Sequence, residues 1–173
     1  MPDDQVRDLR LSLAGDGFPK SGTIGYEYRK AAALAAGFRE ARGDVIVTMD
    51  GDLQDDPDEI PNLLEALEDA DLVSGWKKER KDPFSKRLPS KLFNLVTSLV
   101  SGVRLHDFNC GLKAYRREVA EDALPYLYGE LYRYLPAIAH WSGYRVCELP
   151  VHHHPRRFGR SKFGSKRLLH GLL

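Results

Sequence analysis

A run of apolar and β-branched residues at positions 45–49 ends abruptly in two aspartates one residue apart, Asp50 and Asp52. Such a continuous run predicts a strand that is buried on both faces of a parallel sheet. An Ala-rich helix is predicted before it, at 31–41, and Asp56 suits the N-cap of the next helix. Strands that alternate with helices indicate an α/β fold, with both carboxylates at the rim of the sheet.

The remaining pattern continues this alternation in one predicted domain that spans residues 1–173. Residues 1–25 are polar and atypical, although an edge strand could form near 6–13. The apolar side of a helix at 91–101 has two interpretations, packing against the core, which we favour, and contact with a membrane surface. The other predicted elements are helices at 57–69, 117–124, 131–142 and 166–173, strands at 71–74, 107–115 and 145–151, and basic loops at 77–90 and from 152 onward.

Charge is segregated along the chain although the net charge is only +1. Residues 43–76 contain no Lys or Arg but many Asp and Glu, whereas residues 151–173 contain no Asp or Glu and several Arg and Lys. This pattern fits a site where a cation and anionic phosphates meet, or simply two solvated faces. The two cysteines have no metal-ligand spacing, and a reducing compartment is the default expectation.

Three chemistries place Asp-x-Asp after an apolar strand. A calcium loop that starts at Asp50 fails, because Gln54, Asp55 and Pro61 occupy positions that require an acid, a Gly and a Glu. An aspartyl-phosphate phosphatase, with Asp50 as nucleophile, is a weaker alternative. A nucleotide-sugar transferase would use the pair to hold Mg²⁺ or Mn²⁺ against a diphosphate. An acidic turn before a helix explains residues 55–59 but leaves Asp50 and Asp52 unexplained.

Five motifs occur in a fixed order along the chain. Together they resemble the family 2 glycosyltransferases with a GT-A fold, a Rossmann-like, mostly parallel sheet flanked by helices. The branch they resemble is the polyprenyl-phosphate sugar transferases, and the resemblance covers roughly residues 31–173. The motifs are VIVTMDGDLQDDP at 45–57, SGW at 74–76, DFNCGLK at 107–113, YGELYR at 128–133 and HHPRRFGRSK at 153–162.

The resemblance implies an inverting, metal-dependent transfer of a sugar from a nucleotide-diphosphate donor to a polyprenyl phosphate. Asp107 matches an acceptor-side carboxylate that is sometimes assigned as base; the alternative is a turn Asp that caps backbone amides. Arg133 matches an Arg that lies near the acceptor in the family; the alternative is that it is simply an exposed charge on a helix. The implied donor-binding residues are Asp50, Gly51, Asp52 and Gln54, the metal ligands are Asp50, Asp52 and Gln54, and the acceptor or phosphate ligands are Arg133, Arg156, Ser161 and Lys162.

The chain also departs from the family pattern. The opening strand with Pro-x-Tyr-Asn-Glu and the Asp-Asp-Gly-Ser turn, which bind the nucleoside, are absent, and Lys77 replaces an Arg. An N-terminally shortened GT-A domain is therefore expected, with impaired activity or a non-catalytic binding role. A protein at the cytoplasmic face of the membrane, peripherally bound, with no nucleic acid partner, is expected, and the sequence does not predict the oligomeric state.

Overall fold

One mixed sheet organises the part of the chain that the computed structural model describes, residues 26–78 and 94–155. Its order is β1-β3-β2-β4. β3 pairs antiparallel with both β1 and β2, and β2 pairs parallel with β4. Three of the four described strands therefore run in one direction and β3 is reversed, which agrees with the predicted α/β class. The strands are β1 (Val45–Thr48), β2 (Leu72–Trp76), β3 (Lys113–Arg116) and β4 (Val146–Pro150).

Five α-helices accompany these strands in the described residues. The predicted cap is present at the 3₁₀ turn Pro57–Glu59 that leads into α2, where the Asp56 side chain accepts a hydrogen bond from the Asp58 N–H at 3.1 Å. The helix predicted at 131–142 begins as a 3₁₀ turn, Leu131–Tyr134. The helices are α1 (Tyr26–Glu40), α2 (Ile60–Ala66), α3 (94–101), α4 (Arg117–Ala123) and α5 (Leu135–Trp141).

Both faces of the central strands β2 and β3 are buried. β1, for which the apolar run predicted a buried strand of a parallel sheet, instead pairs antiparallel with β3, and only Ile46 among its residues is buried. On β2, Leu72 packs with α1, α4 and α5, whereas its neighbour Val73 packs with α2 on the other face. On β3, Tyr115 packs on the same face as Leu72, and Ala114 packs on the same face as Val73. This alternation follows from the two-residue period of a strand, and it gives the sheet a rigid interior on each side.

The strand predicted at 107–115 is wrong for its first half. Only Lys113–Arg116 pairs in the sheet, and residues 107–112 form a turn-rich loop. Asp107 causes part of this difference, because its carboxylate accepts the Asn109 N–H at 3.1 Å, a local bond that competes with strand pairing. The elements predicted near 6–13 and at 166–173, and most of the loop at 77–90, lie outside the described residues.

The polarity of α3 is inverted relative to the favoured core-packing prediction, which is wrong for this helix. Leu99 and Val100 are each 75% exposed, and Leu95 is 57% exposed. The buried residues of the helix are polar: Asn94, Thr97 and Ser101. No helix within residues 26–78 and 94–155 combines the length and apolar character that crossing a membrane requires.

Candidate functional site

The two predicted aspartates lie where β1 ends, beside the loop that leads into β3. Thr48 donates its hydroxyl to the Gly111 carbonyl at 2.9 Å, which ties the end of β1 to that loop. A Cβ at Gly111 would fall 2.3 Å from Cγ of Asp50. Only glycine therefore leaves room for the Asp50 carboxylate in this position.

Lysines surround the Asp50 carboxylate. The Lys30 ammonium lies 2.8 Å from Asp50 Oδ1, and both side chains are about one-third exposed. Burial alone would raise the pKa of Asp50, but Lys30, Lys77 and Lys113 together outweigh burial and hold this pKa below its ordinary value. Asp50 is thus an ionised oxygen donor near neutral pH. The sequence reasoning missed Lys30, because a single Lys at the start of an Ala-rich helix has no distinguishing pattern.

The rest of the predicted donor-binding segment is a tight, exposed loop. Asp52 accepts the Gln54 N–H at 3.3 Å. Between them Leu53 has a φ of 61°, a left-handed conformation that a bulky residue adopts rarely. Such outliers cluster at ligand-binding turns, which makes this loop a candidate site in its own right.

The predicted metal ligands are two carboxylates and an amide, Asp50, Asp52 and Gln54. Oxygen donors of this kind suit the hard cations Mg²⁺ and Mn²⁺. In the described ranges, no group of three or more His, Cys, Asp or Glu side chains forms a ready-made metal site. Metal binding by these three residues therefore stays a prediction, one that their donor chemistry fits.

Asp55 fixes the loop of residues 50–54 from inside the protein. One of its carboxylate oxygens accepts the Asp50 N–H at 3.1 Å, and the other lies 3.0 Å from the Lys77 ammonium. Burial alone would lower the pKa of Lys77, but Cys110, Asp55 and Asp50 outweigh burial and raise it. This buried ion pair links β2 to the loop after β1, a connection that sequence patterns did not reveal.

The acidic segment meets the start of the basic C-terminal segment, as the charge pattern suggested. Asp55 and His153 form an isolated antiparallel bridge. The Gln54 carbonyl accepts the His154 N–H at 2.7 Å, and the Gln54 amide donates to the His154 carbonyl at 3.1 Å. His152 lies 2.5 Å from the Glu59 carboxylate. Together these contacts hold the loop of residues 50–54 beside the segment of residues 152–154.

Two carboxylates in these contacts, Glu59 and Asp56, have lowered pKa values. Burial alone would raise the pKa of Glu59, but hydrogen bonds from the His152 N–H, from Asn62 and from the His152 ring outweigh burial and lower it. His154 lies 3.0 Å from Asp56, whose pKa is lowered, mainly by the Asp58 N–H. Paired with carboxylates in this way, His152 and His154 help to hold their segment against the acidic segment.

Asp107 is buried at the start of the loop before β3. Its bond to the Asn109 N–H is the turn-capping role that the sequence left open, and the base role stays a prediction. Further along, the buried Lys113 ammonium donates to the carbonyls of Phe108 and Cys110. Burial lowers the pKa of Lys113, and burial raises the pKa of the Cys110 thiol to about 11, so this thiol is neutral and a poor nucleophile.

Arg133 is not the exposed helix charge that the sequence left open as an alternative. Its side chain is 10% exposed and pairs with Glu130. The Arg133 guanidinium lies 6.0 Å from the centre of the Tyr132 ring, and the Lys30 ammonium lies 5.3 Å from the same ring. Arg133 and the ammonium that pairs with Asp50 therefore lie near the same aromatic ring. Arg156, Ser161 and Lys162 lie outside the described residues.

Sequence comparison identifies the class of protein to which this fold and site belong. Residues 25–124 match the family described as Glycosyl transferase family 2. Because the match covers more than half of the chain, the chain belongs to that family. The phosphatase alternative is left without support, and the predicted resemblance is confirmed.

The curated relatives define the branch more closely. Dodecaprenyl-phosphate galacturonate synthase of Rhizobium johnstonii is 40% identical over 154 residues, which cover 84% of this chain and 44% of the relative. Undecaprenyl-phosphate 4-deoxy-4-formamido-L-arabinose transferase of Pseudomonas aeruginosa is 37% identical over 174 residues, 96% of this chain and 51% of the relative. The chain thus spans about half the length of the curated relatives it matches.

Solved structures agree with the predicted fold. Glucosyl-3-phosphoglycerate synthase from Mycobacterium tuberculosis, in complex with phosphoglyceric acid, matches with a TM-score of 0.60 at 20% identity. The match covers 83% of this chain and 51% of the solved chain. The same enzyme in complex with Mn²⁺ and UDP-glucose has a TM-score of 0.54 at 21% identity, with coverages of 82% and 50%. At these identities the likeness shows the fold alone, and the predicted GT-A architecture is confirmed.

Proposed function

We propose that this chain binds a nucleotide-diphosphate sugar on the loop of residues 50–54 and takes part in transferring the sugar to a polyprenyl phosphate, with inversion. The observation that carries the proposal is the ionised Asp50, held by Lys30 and by the Asp55–Lys77 pair beside Asp52. The names of both curated relatives, which contain dodecaprenyl-phosphate and undecaprenyl-phosphate, support the acceptor class. The solved complex with Mn²⁺ and UDP-glucose supports the donor class.

In this proposal the chain's own groups bind, orient and balance charge. Asp50, Asp52 and Gln54 would hold Mg²⁺ or Mn²⁺, which supplies neutralisation of the diphosphate charge. Lys30 has a flexible, partly exposed ammonium that can turn from Asp50 towards a phosphate oxygen. A phosphate acceptor is already anionic near neutral pH, so positioning and charge stabilisation contribute more than proton removal. Asp107 belongs to the acceptor side, where it fixes the loop before β3.

Replacing Asp52 with alanine tests the donor site. We expect Mn²⁺-dependent binding of UDP-sugars or GDP-sugars to weaken on the order of tenfold or more, because one charged ligand of the cation is lost. Isothermal titration with and without EDTA measures the effect. Asp69→Ala, an exposed acid of the same charge, is the matched control and should bind like the unmodified chain. Binding that is indifferent to EDTA and to Asp52→Ala would contradict the proposal.

We further propose that the exposed apolar face of α3, with Trp141, contacts an anionic membrane surface. The Trp141 indole donates to the Ser101 carbonyl at 3.0 Å, so its polar group is satisfied while most of the ring is exposed. Charge complementarity favours anionic lipid, because the sequence just before α3 is basic. Between 78 and 91 the basic residues are Lys78, Arg80, Lys81, Lys86, Arg87 and Lys91, and the acidic ones are Glu79 and Asp82.

Replacing Leu99 with glutamate tests the membrane contact. We expect loss of most binding to phosphatidylglycerol-containing vesicles, because a carboxylate on the apolar face must be desolvated and is repelled by anionic headgroups. Flotation measures the bound fraction. Tyr126→Glu changes an exposed aromatic residue outside α3 and α5 and serves as control. Equal flotation of both variants would count against this face as the contact.

A further inference from the structure

We infer that α3 is a positioning element. When its outer face contacts a bilayer, its polar inner side transmits the effect of that contact to the loop that holds Asp107. The inference rests on the membrane contact proposed above and deepens it. Asn94 and Ser98 are the positioning residues, and neither was singled out from the sequence.

The first support is the inverted polarity of α3. A helix that merely completes a core buries its apolar side and exposes its polar side. Here Leu95, Leu99 and Val100 face outward, while Asn94 and Thr97 are buried. Hydrogen bonds therefore contribute strongly to holding this helix on the protein, and its apolar surface is left for another partner.

The second support is where those hydrogen bonds go. The Asn94 amide donates to the His106 carbonyl at 2.5 Å. The Ser98 hydroxyl donates to the Leu105 carbonyl at 3.1 Å and accepts the Leu105 N–H at 3.4 Å. Leu105 and His106 are the two residues directly before Asp107. The inner side of α3 thus holds the backbone that leads into Asp107.

The third support is that the far end of the same loop meets the donor site. Lys113 binds the carbonyls of Phe108 and Cys110, and Gly111 packs against the Asp50 carboxylate. On the sheet side, Glu148 accepts the His106 N–H at 2.8 Å, and the His106 ring stacks on Trp76 with centroids 4.2 Å apart. A loop anchored at both ends transmits a displacement of one anchor instead of absorbing it.

A bilayer supplies the differential interaction that such coupling needs. Lipid binds the outward apolar face of α3, so it favours those positions of the helix in which that face is fully inserted. The hydrogen bonds of Asn94 and Ser98 would transmit this preference to the backbone of Leu105 and His106. Engagement with lipid would then order the backbone beside Asp107, and the acceptor side would be organised where the lipid acceptor is found.

Hydrogen exchange of the full chain, followed by mass spectrometry, tests the inference without requiring turnover. On vesicles of phosphatidylcholine and phosphatidylglycerol, we expect amides at 105–110 to exchange more slowly, on the order of tenfold. The Asn94→Ala/Ser98→Ala double variant should float with vesicles as before and lose this protection. Ser101→Ala is the matched control, because its hydroxyl accepts the Val103 N–H of its own turn at 3.2 Å.

The outcomes separate this inference from the proposed function. If the unmodified chain fails to float, the membrane contact is wrong and this inference falls with it, whereas nucleotide-sugar binding is judged by its own titration. If the chain floats but exchange at 105–110 is unchanged, or if the double variant keeps the protection, the inference alone is overturned. Should circular dichroism show the double variant unfolded, Ser98→Ala alone carries the same comparison.

Discussion

Gly111→Ala is expected to abolish most metal-dependent nucleotide-sugar binding and to destabilise the fold. The added Cβ would meet the Asp50 carboxylate at 2.3–2.6 Å, so Asp50 must rotate away and leave Lys30. Overpacking of this kind costs about 1–3 kcal/mol in the free energy of unfolding. Displacement of a charged ligand should also weaken binding on the order of tenfold or more. Isothermal titration and urea denaturation measure the two effects.

Gly37→Ala is the matched control for that change. A Cβ at Gly37 has no neighbour within 4 Å, and the residue lies inside α1. Alanine there should stabilise the protein by up to about 1 kcal/mol, because glycine is unfavourable within a helix. If Gly111→Ala binds donor and unfolds like the unmodified chain, the close packing of Gly111 on Asp50 is refuted.

The second large effect is expected from Asp55→Ala. This change leaves the Lys77 ammonium without its buried partner and removes the acceptor of the Asp50 N–H. Breaking a buried ion pair from one side costs about 3–5 kcal/mol. We therefore expect a large fall in the free energy of unfolding by urea denaturation, together with weaker donor binding, since the loop of residues 50–54 loses its internal anchor.

Two comparisons sharpen this experiment. Asp55→Asn keeps an oxygen acceptor while it removes the charge, so its loss of stability should be smaller than that of Asp55→Ala. Glu121→Gln removes an exposed ion pair with Arg117, which lies 3.6 Å away, and should change stability by about 0.5 kcal/mol or less. Equal stability for Asp55→Ala and Glu121→Gln would show that the buried pair contributes little.

Local patterns predicted the parts of the fold and site that depend on neighbours in sequence. The apolar run before Asp50 predicted β1 and the placement of both aspartates, and Asp56 predicted the start of the helical segment. The loop before β3 was mistaken for strand, because its apolar residues suit either structure and only the Asp107 cap and the Lys113 contacts decide between them.

Long-range contacts account for what the sequence could not provide. Lys30 pairs with Asp50 and Lys77 pairs with Asp55, but the spacing of these residues along the sequence does not indicate either pair. The helical period of α3 predicted an apolar side and a polar side without saying which one faces the protein. That choice depends on the backbone of Leu105 and His106, which offers hydrogen bonds to Asn94 and Ser98.

The reversed direction of β3 has a consequence for how such a protein can diversify. Ser74 of β2 pairs with Lys113 of β3, so the chain leaves the sheet after Trp76 and returns with Lys113 at the same end of the two strands. The middle of this connection can lengthen, shorten or change composition without altering strand order, since closing a longer loop adds little entropic cost. Related sequences could therefore differ in the middle of this connection while Lys77 and Gly111, near its two ends, keep their contacts with Asp55 and Asp50.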